Sequence, residues 1–346
     1  MALTKKTPTI QDVARHAKVS AATVSRVLST PERVSEAARE RVFEAVRDTG
    51  YTINQAARSL RLRAARTILI ALPDIGNPFY STILQSVIGA ASARGYSVLV
   101  SARLGEDPNR WLRDYLLSNR ADGLMVFDGS LDTSSLHELM LDGATLPLVA
   151  AYDELPDPRV NSVITDNRAA AIRAIGHLIE YGHRRIAHLH GPSRTAAPNE
   201  RLIGFREAMQ GAGLEVRPEW ILPGDYTMLA GVAGAERIAA MRERPTAVFV
   251  ANDEMCLGFI SRLREHGIEC PRDISVIGFD DIAVSRHFAP PLTTMRQPRE
   301  QIGRLATEMV IDIIEGAAEP EPQHVMLTSP LVVRASTARF TGRFTS

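Results

Sequence analysis

The sequence predicts a small all-α unit of helix-turn-helix type, joined by a short linker to a two-lobed α/β unit, and three observations carry that prediction. Residues 1–66 hold 13 Lys+Arg against 6 Asp+Glu, whereas the rest of the chain holds 27 against 34. The same N-terminal stretch is dense in helix signals and nearly free of strand signals. From Thr67 onward, short β-branched or aliphatic runs alternate with helical stretches, the pattern of parallel sheets covered by helices. Charge segregated this way marks a module that meets a polyanion, attached to a body that does not; the alternative is a basic tail solvated for its own sake.

Within the first unit, Thr9 and Asp12 form a shortened capping box, and Ile10, Val13, Ala14 and Ala17 fall at helical spacing. Lys18-Val19-Ser20 makes a tight turn with Ser20 as N-cap, and Val24, Val27 and Leu28 repeat the helical spacing. Ser35 opens a third helix whose Ala38, Val42, Ala45 and Val46 complete a small core, and Gly50 ends it. The stretch Asn54 to Arg61 has helix formers but too few apolar positions to hold a helix alone, so it reads as a conditional helix.

In the second unit the predicted strands are Thr67–Leu72, Tyr96–Ser101, Gly123–Phe127, Pro147–Ala151, Arg185–Leu189, Ala247–Ala251 and Ile274–Gly278. Helices are expected near Phe79–Ala93, Asn109–Ser118, Asn167–Tyr181, Asn199–Ala212, Ala230–Met241 and Asp253–His266. The strands fall into two sets separated near Asp166, hence two lobes, and ligands of such sheets bind at the carboxyl ends of the strands.

The run Thr9 to Ala14 followed by Val19 to Leu28 resembles the DNA-binding signature of the lactose-repressor family of bacterial transcription regulators. Gly50-Tyr51, Asn54, the Ala57–Leu60 stretch, Asn77-Pro78-Phe79-Tyr80, Gly191-Pro192, Arg201 to Phe205, Ala251-Asn252-Asp253, Ile277 to Asp281 and Pro291 to Thr294 extend the resemblance over residues 8–338. It implies a helix-turn-helix domain over 1–53, a hinge helix and linker over 54–65, and a periplasmic-binding-protein-like effector domain over 66–340. Lobe one would hold about 66–165 and 296–325, and lobe two about 166–295 and 326–340. Three crossovers are expected, the third near Thr294-Met295-Arg296, after which a helix over Glu300–Ile314 returns to the first lobe. Some stretches, Pro73-Asp74-Ile75 among them, are similar to the cytidine-responsive branch of the family.

The residues themselves suggest chemistry. Ala21, Ala22 and Arg26 are placed on the exposed side of the second helix, where an arginine can fork onto guanine O6 and N7 while alanines reach only a thymine methyl. Ser20, Thr23 and Ser25 suit phosphate contacts, and Thr9 is counted with the DNA-binding residues. Leu60, lying among Arg58, Ser59 and Arg61, has no core to enter and suits a wedge in the minor groove, with packing on the effector domain as its alternative. By resemblance Asn54 and Ala57 join it as hinge contacts. Arg201, Asn252 and Asp280, with Asp153, offer a guanidinium, an amide and carboxylates to the hydroxyls of a neutral polyhydroxylated ligand, a nucleoside or a sugar. The resemblance implies that Phe79 and Tyr226 hold its ring or apolar face. Each of these could instead be a loop cap, a salt bridge or core.

No Walker A, G-x-S-x-G or G-x-G-x-x-G motif occurs, so no enzyme activity is expected, nor a cofactor. His183, His188 and His190 lack a further ligand at metal spacing, and His137-Glu138 lacks the second histidine of a zincin. Two cysteines without C-x-x-C make neither a disulfide framework nor a zinc finger. With no apolar h-region and no membrane-length apolar run, a cytoplasmic protein is expected. One helix-turn-helix reads too few bases for specificity, so a homodimer on a pseudo-palindromic operator is expected; the C-terminal residues lack a leucine heptad for a tetramer. The rival reading is a solute-binding or sugar-processing α/β protein with an incidental basic N-terminus.

Overall fold

The computed structural model describes residues 8–52, 64–102, 110, 112, 114–115, 118, 120–131, 147–319 and 321–342, and the chain divides into two units, Met1–Ala65 and Arg66–Ser346. The hinge residues Asn54, Ala57 and Leu60, His137 and Glu138, and half of the helix expected over Asn109–Ser118 lie outside the described residues.

In the first unit α1 (Ile10–Ala17), α2 (Ala21–Ser29) and α3 (Glu36–Thr49) close around Val13, Ala14, Ala17, Val24, Val27, Val42 and Ala45. The Thr9 amide and hydroxyl both donate to Asp12 Oδ2, at 2.9 and 2.7 Å, which fixes the start of α1. Lys18 turns left-handed (φ 53°) to end it, and two residues later the Ser20 hydroxyl accepts the Thr23 N–H at 3.1 Å to start α2. This is the compact turn that a helix-turn-helix requires.

The second unit opens with β1 (Thr67–Leu72), α4 (Phe79–Ala93), β2 (Ser97–Ala102), β3 (Gly123–Val126), β4 (Leu148–Tyr152) and β5 (Asn161–Thr165). After a first crossover at Asp166 come α5 (Asn167–Glu180), β6 (Ile186–Leu189), α6 (Ala196–Gly211), β7 (Ile221–Leu222), α7 (Met228–Ala240), β8 (Ala247–Val250), α8 (Asp253–Glu265), β9 (Ser275–Asp280) and β10 (Thr293–Arg296). The chain recrosses at Gln297-Pro298, so that α9 (Arg299–Ile314) packs on α4 and β11 (His324–Leu327) joins the first sheet. A third crossing brings β12 (Leu331–Val332) antiparallel to β10. The sheets run β11-β5-β4-β3-β1-β2 and β12-β10-β9-β8-β6-β7, every other pairing parallel.

The crossing expected third near Thr294–Arg296 is therefore the second and falls just beyond β10, and Met326 and Leu327 belong to the first sheet rather than to lobe two. The cause is β11: His324-Val325-Met326-Leu327 has one β-branched residue, and its pairing to β5 is set by tertiary contacts that local propensity does not encode. In both sheets the strand order reverses beside the first strand of the lobe, between β1 and β3 and between β6 and β8, where α/β sheets hold ligands.

Lobe two is tightened where α7 crosses α8. A Cβ on Gly231 would lie 2.0 Å from the Met255 carbonyl oxygen, and one on Gly258 2.1 Å from that of Met228, so the two backbones touch through glycine. Gly258→Ala is expected to cost about 1–3 kcal/mol by forcing the helices apart. A chemical-denaturation midpoint equal to that of the parent would show that the pair can separate freely.

Candidate functional site

On α2, Val24 and Val27 are fully buried and Ala22 and Arg26 are exposed, so one face of the helix packs and the other is presented. Ala21, expected beside them, is half-buried and packs against the helical core, because as the first residue of α2 it lies over the turn from α1. Thr23 and Ser25 are half-buried at the rim, and Thr9 and Ser20 are exposed N-caps. The Ser20 and Thr23 hydroxyls lie 2.9 Å apart, so both already serve α2 and are held at its positive end, where a phosphate oxygen is also favoured.

In the second unit five of the six expected cleft residues come together where the strands end. Arg201 on α6 is completely buried, with its guanidinium 3.7 Å over the Phe279 ring. Its Nε donates to Asn167 Oδ1 at 2.8 Å, one terminal nitrogen donates to the Ala251 carbonyl, and the other approaches the Tyr152 hydroxyl of lobe one at 3.4 Å. Asp280, the last residue of β9, accepts at Oδ1 from Gln297 Nε2 at 2.7 Å. Asp153, just past β4 in lobe one, accepts from the Ala197 amide of lobe two at 2.9 Å, so a first-lobe carboxylate caps the second-lobe helix α6. Phe79 packs its ring 4.8 Å from Tyr152 and 5.1 Å from Tyr80, in a cluster that includes Ala197, Leu257 and Ile282 from the opposite lobe. Tyr226 lies across the Arg201 guanidinium, 5.8 Å from ring centre to carbon, and its buried hydroxyl closes no well-aligned hydrogen bond.

Asn252 stands apart. It caps α8, accepting from the Met255 amide at 3.0 Å, while its Nδ2 donates to the Tyr226 carbonyl at 3.0 Å. Its amide is committed to holding Tyr226, whose backbone is left-handed at φ 72°. Tyr152 (φ 75°), Asp280 (φ 121°) and Asp281 (φ 57°) also carry positive φ, and such strain concentrated at strand ends is a mark of functional sites.

Burial dominates the electrostatics. It pushes Asp280 up to about 7 despite the pull of Arg201, with the like charge of Asp253 adding to the rise. Burial likewise lifts Asp253 to about 6, although Thr294 and Ser285 hydroxyls and the Ile282 amide all donate to it, at 2.6, 2.7 and 3.0 Å. Asp153 is raised by burial, against the Ala197 amide and the Thr195 hydroxyl. Arg201 keeps its charge: burial works against it, but the Asp280 carboxyl and the oxygens of Tyr152, Asn167 and Ala251 around the guanidinium offset that. Asp281 differs. Burial would raise it, yet bonds from Arg296 and Arg334, both at 2.6 Å, hold it below the usual carboxylate range, a structural ion pair.

The histidines also have structural posts. His183 bridges the Thr246 hydroxyl and the Ala338 carbonyl at 2.9 and 3.0 Å. His188, pushed down to about 3 by burial, donates from Nδ1 to the Phe249 carbonyl and stacks on Phe205 and Phe249. Among the described residues no three His, Cys, Asp or Glu side chains are grouped to hold a metal.

Tyr152, Asn167, Gln297 and Asp253 belong to the site and were not foreseen. The available signal was positional: each lies at or within three residues of the end of a strand, the place where the cleft must be. A cavity of about 90 Å³ remains beside Asp153 and Asn167.

A helix-turn-helix with an exposed arginine and a two-lobed unit with a buried polar cleft define a DNA-binding regulator with a ligand-sensing body. Known proteins agree. Residues 9–54 match the profile of bacterial regulatory proteins, lacI family, and residues 175–337 that of a periplasmic binding protein-like domain. The HTH-type transcriptional repressor CytR of Escherichia coli (strain K12) is 36% identical over 338 residues, covering 95% of this chain and 96% of the relative. The HTH-type transcriptional repressor PurR of Vibrio parahaemolyticus is 36% identical, with 94% and 97% covered. Among solved structures, the Lac repressor dimer bound to operator and the anti-inducer ONPF superposes with a TM-score of 0.84 at 28% identity, covering 96% of this chain and all of that one. The complex of the transcriptional regulator CelR with cellobiose gives 0.72 at 34% identity, covering 95% and 99%. The chain belongs to the LacI family and is a transcriptional regulator, not an enzyme.

Proposed function

We propose that the protein is a homodimeric repressor that reads a pseudo-palindromic operator in the bacterial cytoplasm and is controlled by a nucleoside bound between the lobes of its second unit. The observation that carries the ligand reading is the convergence of Arg201 from α6 and Asp280 from the end of β9 on the Phe79–Tyr152 cluster of lobe one. A buried guanidinium and a carboxyl displaced toward neutrality suit the hydroxyls of an uncharged ligand, and aromatic rings on either side suit a flat base. Similarity to the cytidine-responsive branch makes cytidine the first compound to try. The cellobiose complex of a 34%-identical neighbour supports a second reading, a sugar. A melting-temperature screen with cytidine, adenosine, uridine, ribose and cellobiose separates the two, because a ligand that binds only the folded state raises Tm. Stabilisation by cellobiose alone would replace the nucleoside by a sugar.

Ala22 and Arg26 on the open face of α2 support the operator reading, as do the hinge positions Asn54, Ala57 and Leu60 by family resemblance. Arg26→Ala is expected to lose roughly 1–3 kcal/mol of discrimination at one guanine of each half-site while leaving the ligand response intact. The measurement is a gel-shift series on DNA from upstream of the protein's own gene. Equal losses on that DNA and on random DNA would make Arg26 a phosphate contact.

A further inference from the structure

Arg201 and Asp280 are joined by an unbroken chain of buried hydrogen bonds that runs through both of the first two crossovers. From Arg201 Nε it passes to Asn167 Oδ1 at 2.8 Å, and from Asn167 Nδ2 to the Thr165 carbonyl at 2.9 Å. It continues from the Thr165 hydroxyl to Gln297 Oε1 at 2.9 Å and from Gln297 Nε2 to Asp280 Oδ1 at 2.7 Å. All five side chains are buried. Thr165 ends β5 in lobe one, Asn167 opens the first helix of lobe two, Gln297 lies on the second crossover and Asp280 ends β9. The first two crossovers are each tied to the third, since the Asp166 amide donates to the Leu327 carbonyl at 2.9 Å and the Arg296 amide to that of Pro330 at 2.8 Å.

We propose that Gln297, oriented by Thr165, is a positioning residue for Asp280, and that with Asn167 it makes the placement of the ligand-binding pair depend on the crossover geometry. This rests on the reading of Arg201 and Asp280 as the ligand anchors. The direction of the chain is fixed at one point. An ionised carboxylate only accepts, so Gln297 presents its N–H to Asp280, and its Oε1 is left facing the Thr165 hydroxyl, which donates to it. Without the Thr165 hydroxyl, Oε1 loses this donor and the amide is held at one end only, so its placement against the carboxylate loosens. A separation of the crossovers that broke the Thr165–Gln297 bond would have the same result, so opening the lobes would loosen the grip on the ligand.

Around Asp280 the charged groups are Arg201 from α6, Asp253 from α8 and Arg299 from α9, with the Tyr80 and Tyr152 hydroxyls from lobe one. None of these is altered by a change at Thr165, so the pH profile isolates the relay. The test compares full-length wild type, Thr165→Val, Thr165→Ser and Gln297→Leu by melting temperature from pH 5 to 8.5 and by calorimetric titration with cytidine. Thr165→Val keeps the shape and loses the hydroxyl, so the fall of Tm with pH should move about half a pH unit higher, further still in Gln297→Leu, and cytidine affinity should drop about tenfold in both. Thr165→Ser, which keeps the hydroxyl, should follow wild type in both measurements. A Thr165→Val profile lowered equally at every pH would overturn the relay and leave a packing role. If wild type fails to bind cytidine, the nucleoside reading falls, while the pH profiles still decide the relay.

Discussion

Arg201→Ala is expected to destabilise the second unit by about 3–5 kcal/mol and to abolish any response to ligand, the largest single loss anticipated in this molecule. The guanidinium fills a fully buried site against Phe279, and its removal strands the Asn167 amide oxygen and the Ala251 carbonyl without a donor. Each stranded acceptor carries a desolvation cost of roughly 1–3 kcal/mol. Asp280 loses its nearest positive charge at the same time, so its ionised form becomes costlier. Read from sequence, Arg201 is a ligand contact, with a loop cap or a salt bridge as its alternative. The structure makes it the keystone between α6, β8 and the first crossover as well. Arg201→Lys keeps the charge but cannot serve three acceptors in a plane, so it should recover part of the stability and none of the ligand affinity. Urea denaturation of the two variants checks this; an alanine variant within 1 kcal/mol of wild type would contradict it.

That gap between a contact and a keystone shows where sequence reading stops. Periodicity and caps located α1 to α3 because each signal is local: Thr9, Ser20 and Gly50 act within four residues of themselves. The buried runs of lobes one and two were legible for the same reason, and helix α4 falls on the expected Phe79–Ala93. Strand β5 escaped although Val163-Ile164-Thr165 is β-forming, since Asn161 and Ser162 open it with polar side chains. Strands β11 and β12 are short and only partly buried, and they exist because the edges of β5 and β10 accept them. At the site, residue types with unusual chemistry were found, and neutral amides were passed over. Asn167 and Gln297 look like surface polar residues in a linear sequence, and their importance lies in partners 34 and 132 positions away. Asn252 shows the converse: its chemistry suits a ligand, but its amide is spent on a cap.

Asp280→Asn is expected to stabilise the protein at pH 8 and to weaken its dependence on pH, while costing the ligand response. In the unfolded chain this carboxyl titrates near the ordinary aspartate value of about 3.9; in the folded one, burial lifts it to about 7. Between those values the folded state binds more protons than the unfolded one, so stability falls as pH rises, and above the folded value the whole cost is present. Asp253, lifted to about 6, contributes with the same sign over a narrower window. Because the two buried carboxyls share the effect, a gain on the order of 2 kcal/mol is expected for the single replacement. Asparagine keeps an oxygen for Gln297 Nε2 and tolerates the positive φ of this position, so neither the relay nor the backbone is disturbed. It cannot, however, accept from a ligand hydroxyl as a carboxylate does. A variant that is firmer yet deaf to ligand is the signature of a group retained for binding at a cost in stability. The measurement is the unfolding free energy of wild type and Asp280→Asn at half-unit steps from pH 5 to 8.5, with cytidine titrations at both ends. Parallel curves would mean that Asp280 ionises in the ordinary carboxylate range and stores no such cost, and a variant that still bound cytidine with wild-type affinity would move the ligand away from β9 altogether.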